Sequence, residues 1–150
     1  MDTQKLHTQA MELAEQGDFQ KMQGKDDLAA SLYQKSFEAE REAAYQAKNQ
    51  QMGEPTESVL FRSAASLAYD LKDFREAERL ICMALAGNPP SDIAHELREL
   101  YDQVNLERSL EQMNINHPER KHEAVTITIP VQERNLLKVL VRKFGWACVF

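Results

Sequence analysis

The clearest indication of the fold comes from residues 61–90, called the deciding stretch below, which read FRSAASLAYDLKDFREAERLICMALAGNPP. Apolar residues recur in it at spacings of three and four, which is the period of one helix face. Asp73 and Glu76 stand three residues apart before the second apolar run, as in a capping box whose N-cap is Asp73. Residues 87–90, GNPP, then end that run. The stretch therefore predicts two helices joined by a short turn.

The same period continues upstream, where it predicts two further helices. The first covers about residues 3–22, and a turn at residues 24–27, GKDD, separates it from the second helix, whose N-cap is an aspartate. The second helix is long, because no helix breaker appears before Gly53. A polar loop over residues 48–57 follows, and Thr56 is the predicted N-cap of the helix that enters the deciding stretch.

Downstream, one more helix is predicted, with Ser91 as its cap and one apolar stripe. It completes a helical domain over residues 1–114. Residues 115–123 are polar and contain a proline, which is typical of a linker. Residues 124–150 then predict a β-α-β appendage, a strand, an amphipathic helix and a second short strand. This appendage is too short to bury its own core, so we expect it to pair or dock through apolar side chains. The residues expected at this tail interface are Val125, Ile127, Ile129, Leu137 and Trp146.

Composition and charge limit the class of function. The net charge is −6, but residues 1–116 carry 12 basic and 21 acidic side chains, whereas residues 117–150 carry six basic and three acidic ones. An acidic helical domain repels nucleic acid, so we expect it to bind none. No run of about 18 apolar residues predicts a membrane span, and the polar first ten residues differ from a signal peptide. With Cys82 and Cys148 expected to be reduced thiols, the sequence predicts a cytoplasmic protein.

No motif of catalytic chemistry stands out. The sequence contains no glycine-rich phosphate loop, no GxSxG and no HExxH. Cys82 is assigned to the apolar face of a predicted helix, so we expect it to be buried rather than to act as a nucleophile. His117 and His122 do not have the spacing of metal ligands. The sequence therefore predicts a protein that is not an enzyme and that needs no metal or cofactor.

The deciding stretch resembles one tetratricopeptide repeat. The resemblance rests on a large aromatic residue, a step of small residues, the turn into the second helix and the spacing of small, large and proline residues after it. These residues are Phe61, Ala64, Ala65, Asp73, Phe74, Ala77, Ile81, Ala84 and Pro89. Small residues let two helices approach closely, and proline ends the second helix.

A weaker copy of the repeat lies upstream. It is carried by Leu13, Gly17, Gly24, Ala29, Tyr33 and Ser36. The resemblance thus covers about residues 6–113, and it implies a mainly α fold of antiparallel helical hairpins followed by a capping helix. The alternative fold is an unrelated helical bundle with alanine-rich packing.

Resemblance to this family implies a protein–protein interaction scaffold. The first helix of each repeat lines a concave surface that receives a peptide or a helix. The residues that map to this surface are Arg62, Ser66, Tyr69, Asp70, Glu15, Asp18 and Lys21. The family's carboxylate clamp is not reproduced, so capture of a C-terminal peptide is not expected. The sequence does not identify the partner.

The appendage supports an alternative function. Its first strand and helix resemble the first half of a ribbon-helix-helix DNA binder, in which Thr126 and Thr128 would face bases. Lys138 and Arg142 are four residues apart, so they share one helix face and add positive charge. The alternative is therefore a regulatory protein whose tail binds DNA or a toxin-like partner. The tail is also expected to support homodimerisation or docking.

Overall fold

The structure, a computed structural model, describes residues 2–112, and this part of the chain is helical with no strand. Its helices are α1 (Thr3–Met22), α2 (Asp26–Asn49), α3 (Thr56–Asp70), α4 (Phe74–Leu85) and α5 (Ser91–Gln112). The mainly α fold class and the five predicted helices are confirmed. None of these helices is long and apolar enough to cross a membrane. The predictions for the linker, the β-α-β appendage with its five interface residues, and Cys148 lie outside the described residues.

The helices α1 and α2 form an antiparallel pair. At one end the Thr3 hydroxyl donates to the side-chain carbonyl of Gln46 over 3.2 Å, and midway the buried Ser36 hydroxyl donates to the Ala10 carbonyl over 2.8 Å. Near the other end the helices come so close that a Cβ on Gly17 would lie 2.7 Å from a Tyr33 ring carbon. Glycine therefore permits this approach, because any side chain there would displace the Tyr33 ring.

Each later helix packs against the one before it, and α5 also contacts α3. In the contacts between α3 and α5, residues later in α3 meet residues later in α5. Arg62 pairs with Glu96. About two turns further along α3 and three turns further along α5, the Tyr69 hydroxyl lies 3.5 Å from a Glu107 carboxylate oxygen. These two helices therefore run in the same direction, with α4 packed against both. An open groove remains between them.

Alanine dominates the core where α2, α3 and α4 meet. The fully buried alanines of these helices are Ala43, Ala44, Ala47, Ala64, Ala65, Ala68 and Ala77. Larger side chains fill the remaining space, chiefly Phe61, Leu80 and Ile81, and the ring of Tyr45 meets that of Phe61 edge-on at 5.4 Å. Small residues bring the helix axes together, and the few large residues then reach close packing.

One predicted N-cap is confirmed, and three predicted N-caps are wrong. The side chain of Asp73 accepts a hydrogen bond from the Glu76 backbone N–H over 3.1 Å, as a cap should. The residue in the N-cap position of α2 is Lys25, and that of α3 is Pro55, so the predicted aspartate and Thr56 lie inside the helices.

The helix α5 likewise begins at Ser91, because the carbonyl of Pro90 accepts its first backbone hydrogen bond. At α3 the Glu54 carboxylate accepts from the Ser58 backbone N–H over 3.1 Å, and it takes the place of the predicted threonine cap. A carboxylate at this end of a helix also interacts favourably with the helix dipole.

Three helices end in the same left-handed turn, although only one of the turns contains glycine. Gly24, Gln51 and Lys72 have φ angles of +73°, +54° and +62°. In each turn two backbone N–H groups bond back to carbonyls of the last helical turn, for example the N–H of Asp73 to Ala68 at 2.9 Å. This is the Schellman motif, in which glycine is the usual residue at the left-handed position.

Cys82 is exposed, so the prediction that it is buried is wrong. The buried face of α4 is formed by Ala77, Leu80, Ile81 and Ala84. Successive residues on a helix are about 100° apart, so the residue that follows Ile81 turns away from this face. An apolar neighbour in sequence did not indicate burial here.

Candidate functional site

A groove with a volume of about 570 Å³ lies between α3 and α5. Its α3 wall contains all four residues that the sequence analysis assigned to a binding surface on that helix: Arg62, Ser66, Tyr69 and Asp70. The α5 wall is formed by Glu96, Glu99, Leu100 and Gln103. The groove is polar and open to solvent along its length.

An ion pair crosses one end of the groove. The guanidinium of Arg62 on α3 pairs with the carboxylate of Glu96 on α5. The Ser66 hydroxyl donates to the backbone carbonyl of Arg62 over 3.1 Å, so its oxygen lone pairs remain as acceptors. Since both charges are partly exposed, the pair adds little to stability, but it places a guanidinium and a carboxylate in fixed positions on the surface.

Tyr69 and Asp70 form the other end of the α3 wall. The Tyr69 ring packs 5.7 Å from the ring of Phe74, which fixes its position. Burial raises the pKa of the Tyr69 phenol, and the neighbouring Asp70 carboxylate raises it further. The phenol is therefore a neutral hydrogen-bond donor with an aromatic face, held at the wall of the groove.

The Asp70 carboxyl lacks a direct partner among residues 2–112. Partial burial raises its pKa, Asp18 raises it further, and Lys21 lowers it. Asp18 and Lys21 belong to the end of α1, so this electrostatic coupling brings α1 to the same side of the domain as the end of α3. The Asp70 carboxylate is thus partly desolvated, and Lys21 compensates for this only from a distance.

Asp18 also holds α1 to α2. The Tyr33 hydroxyl donates to its carboxylate over 2.6 Å. This hydrogen bond is the main reason that the pKa of Tyr33 is raised to about 12, with burial and charge from Asp18 and Asp70 adding to it. Glu15 is exposed on α1, and no contact joins it to the groove. Four of the seven predicted surface residues therefore line the groove, whereas Asp18 and Lys21 act on Asp70 from α1 and Glu15 does not line it.

The α5 wall was not predicted from the sequence, because α5 was expected only to cover the last repeat-like hairpin. The signal that could have found it is the repeat length. Arg62 and its partner Glu96 are 34 residues apart, which equals the length of one tetratricopeptide repeat. Leu100 lies 34 residues after Ser66, and Gln103 lies 34 residues after Tyr69. All four of these residues line the groove.

A second, smaller depression of about 290 Å³ lies between the starts of α1 and α3. His7 lines it, and the imidazole Nδ1 lies 2.9 and 3.0 Å from the two carboxylate oxygens of Glu40, which is completely buried. Within residues 2–112 no three His, Cys, Asp or Glu side chains are grouped so that they could hold a metal ion.

Comparison of the chain with protein-family models, curated proteins and solved structures finds no match in any of the three.

Proposed function

We propose that residues 3–112 form a non-catalytic scaffold of the tetratricopeptide type, whose α3–α5 groove binds a peptide or a helix of another protein. The observation that carries the proposal is the parallel pair α3 and α5, joined by residues 34 apart, with an open groove between them. This is the relation expected between the first helices of successive repeats. The tail, residues 124–150, then serves dimerisation or docking.

The chemistry of the groove walls supports the same proposal. Arginine and tyrosine are the residue types most often found to dominate protein-binding energy. Arg62 and Tyr69 present both types on one wall, where the contacts to Glu96 and Phe74 limit their movement. A partner therefore meets side chains that lose little conformational freedom on binding.

Site-specific crosslinking in the full-length protein tests the proposal. A photoreactive amino acid replaces Gln103 in the groove, and a control protein carries it at Arg75, which is exposed on α4. A scaffold of the proposed kind gives a crosslinked partner with the first protein and not with the second. The same crosslinks from both positions, or none from Gln103, contradict the proposal.

The affinity of the captured partner then identifies the residues that bind it. We expect Arg62→Ala and Tyr69→Ala each to weaken binding by about tenfold, equivalent to about 1.4 kcal/mol. Arg75→Ala removes the same charge from an exposed position of α4 and is the matched control for Arg62→Ala. Unchanged affinity in both groove variants would show that the partner contacts another surface.

A further inference from the structure

The charges around the groove are unequal. The residues that line it include three carboxylates, Asp70, Glu96 and Glu99, and one cation, Arg62. The Arg62 guanidinium is already paired with Glu96. Asp70 and Glu99 remain, and Lys21 acts on Asp70 from α1, so the surface has a negative potential that favours approach by cations.

Asp70 indicates where a partner cation would gain most. Its carboxyl lines the groove, where it is accessible to solvent. The structure gives it no hydrogen bond or ion pair with a residue of 2–112, and Lys21 acts on it only through space. A carboxylate without a partner in its own chain is stabilised when a guanidinium or ammonium group pairs with it.

Glu99 provides a second carboxylate on the opposite wall. It lies three residues after Glu96, close to one helical turn further along α5. Whereas Glu96 receives a guanidinium from α3 within the chain, the ion-pair partner of Glu99 among residues 2–112 is His95, 3.4 Å away on its own helix and largely exposed. The contact between Arg62 and Glu96 thus shows, within this chain, how an arginine side chain crosses the groove to a carboxylate of α5.

We propose that the segment received by this groove is a basic peptide, whose arginine or lysine side chains pair with Asp70 and Glu99. The inference rests on the proposed function and adds the chemistry of the partner to it. Arginine suits the site better than lysine, because a planar guanidinium binds a carboxylate through two hydrogen bonds and can also lie on the face of Tyr69.

Binding of defined peptides to the full-length protein tests the inference. Three fluorescent peptides share one alanine and leucine framework and carry arginine, glutamine or glutamate at the remaining positions. The arginine peptide is expected to bind most tightly by fluorescence anisotropy, with an affinity that falls as salt rises. Equal or tighter binding of the glutamine or glutamate peptide, or no binding of the arginine peptide, overturns the inference.

Isosteric variants separate a specific site from general attraction to an acidic protein. Asp70→Asn and Glu99→Gln together are expected to weaken the arginine peptide by roughly fivefold to tenfold, since each removes one partly exposed ion pair. Glu42→Gln, at an exposed position of α2, is the control and should leave the affinity within roughly a factor of two. Equal effects in the control and the groove variants overturn the inference.

The failure of this inference differs from the failure of the proposed function. If a neutral or acidic peptide binds and Tyr69→Ala weakens it, the groove still binds proteins and only the basic chemistry is wrong. If crosslinking from Gln103 also captures no partner, the proposed function itself fails.

Discussion

Loss of the His7 side chain tests how α1 is held on α2. The Glu40 carboxylate is 0 % exposed, and its two oxygens lie 2.9 and 3.0 Å from His7 Nδ1. An ionised carboxylate only accepts hydrogen bonds, so Nδ1–H of the imidazole is the donor. The structure gives this carboxylate no other polar partner among residues 2–112. His7→Ala therefore removes the only group that compensates for the burial of Glu40.

The expected loss of stability follows from the burial of the two side chains. A buried acceptor left without a partner costs roughly 1–3 kcal/mol, and breaking a fully buried ion pair costs about 3–5 kcal/mol. The His7 side chain is 33 % exposed, so its removal opens a path by which water reaches Glu40. We therefore expect the free energy of unfolding to fall by about 2 kcal/mol, near the middle of the lower range.

Urea unfolding, followed by circular dichroism at the helix band, measures this loss. Thr8→Ala is the matched control, because the exposed Thr8 hydroxyl bonds only to the Gln4 carbonyl of its own helix. The control should change stability by less than about 0.5 kcal/mol. The variant with leucine at both positions 7 and 40 should recover much of the loss, since it leaves no buried group unpaired. A loss in His7→Ala no larger than in Thr8→Ala, or a double leucine variant no more stable than His7→Ala, would refute the reasoning.

Four further predictions concern other parts of the helical domain. Gly17→Ala should destabilise the protein by about 1 kcal/mol, because the alanine Cβ displaces the Tyr33 ring. In a Tyr33→Ala background the same change should be stabilising, and a double-mutant cycle measured by urea unfolding tests both expectations. The pKa of Tyr33 rises from 10.0 to about 12 on folding, so the folded state holds this proton more tightly and stability should fall between these pH values. Asp18→Asn should reduce this fall, whereas an unchanged pH profile would contradict the assigned hydrogen bond. Lys72→Gly should raise the free energy of unfolding by roughly 0.5–1 kcal/mol, because glycine adopts the φ of +62° without steric cost. In a variant without Cys148, Cys82 should react with a thiol reagent as fast in the folded protein as in the urea-unfolded protein, because it is exposed. Slower labelling of the folded protein would contradict this exposure.

Local sequence predicted the helices well, because their signals lie within a few residues of one another. The three-to-four spacing of apolar residues in residues 61–90 gave α3 and α4, and the Asp73 cap was recognised from the position of Glu76. The caps that failed depended on finer geometry. The sequence does not show whether a threonine or aspartate lies at the N-cap or one residue inside the helix. At α3 the carboxylate of the nearby Glu54 accepts the hydrogen bond instead.

The candidate site could be predicted only on one side. Helical period and the repeat-like pattern assigned the α3 wall, since Arg62, Ser66 and Asp70 turn away from the buried alanines of that helix. The facing wall depends on how α5 packs against α3, which no local pattern of α5 encodes. Glu15 follows the same period as Asp18 on α1, but the end of α1 that approaches Asp70 does not include it.

The positions of the helices, the acidic charge of the helical domain and the more basic charge of the tail can be predicted from the sequence alone. Composition and periodicity are local properties, and they do not depend on the tertiary arrangement. The tertiary structure sets the parallel direction of α3 and α5, the position of the Asp70 carboxylate in the groove without a direct partner among residues 2–112, and the burial of Glu40 against His7. These features join residues more than 30 positions apart. They depend on close packing of the alanine-rich faces, and only the assembled core sets which side chains meet and which lose their water.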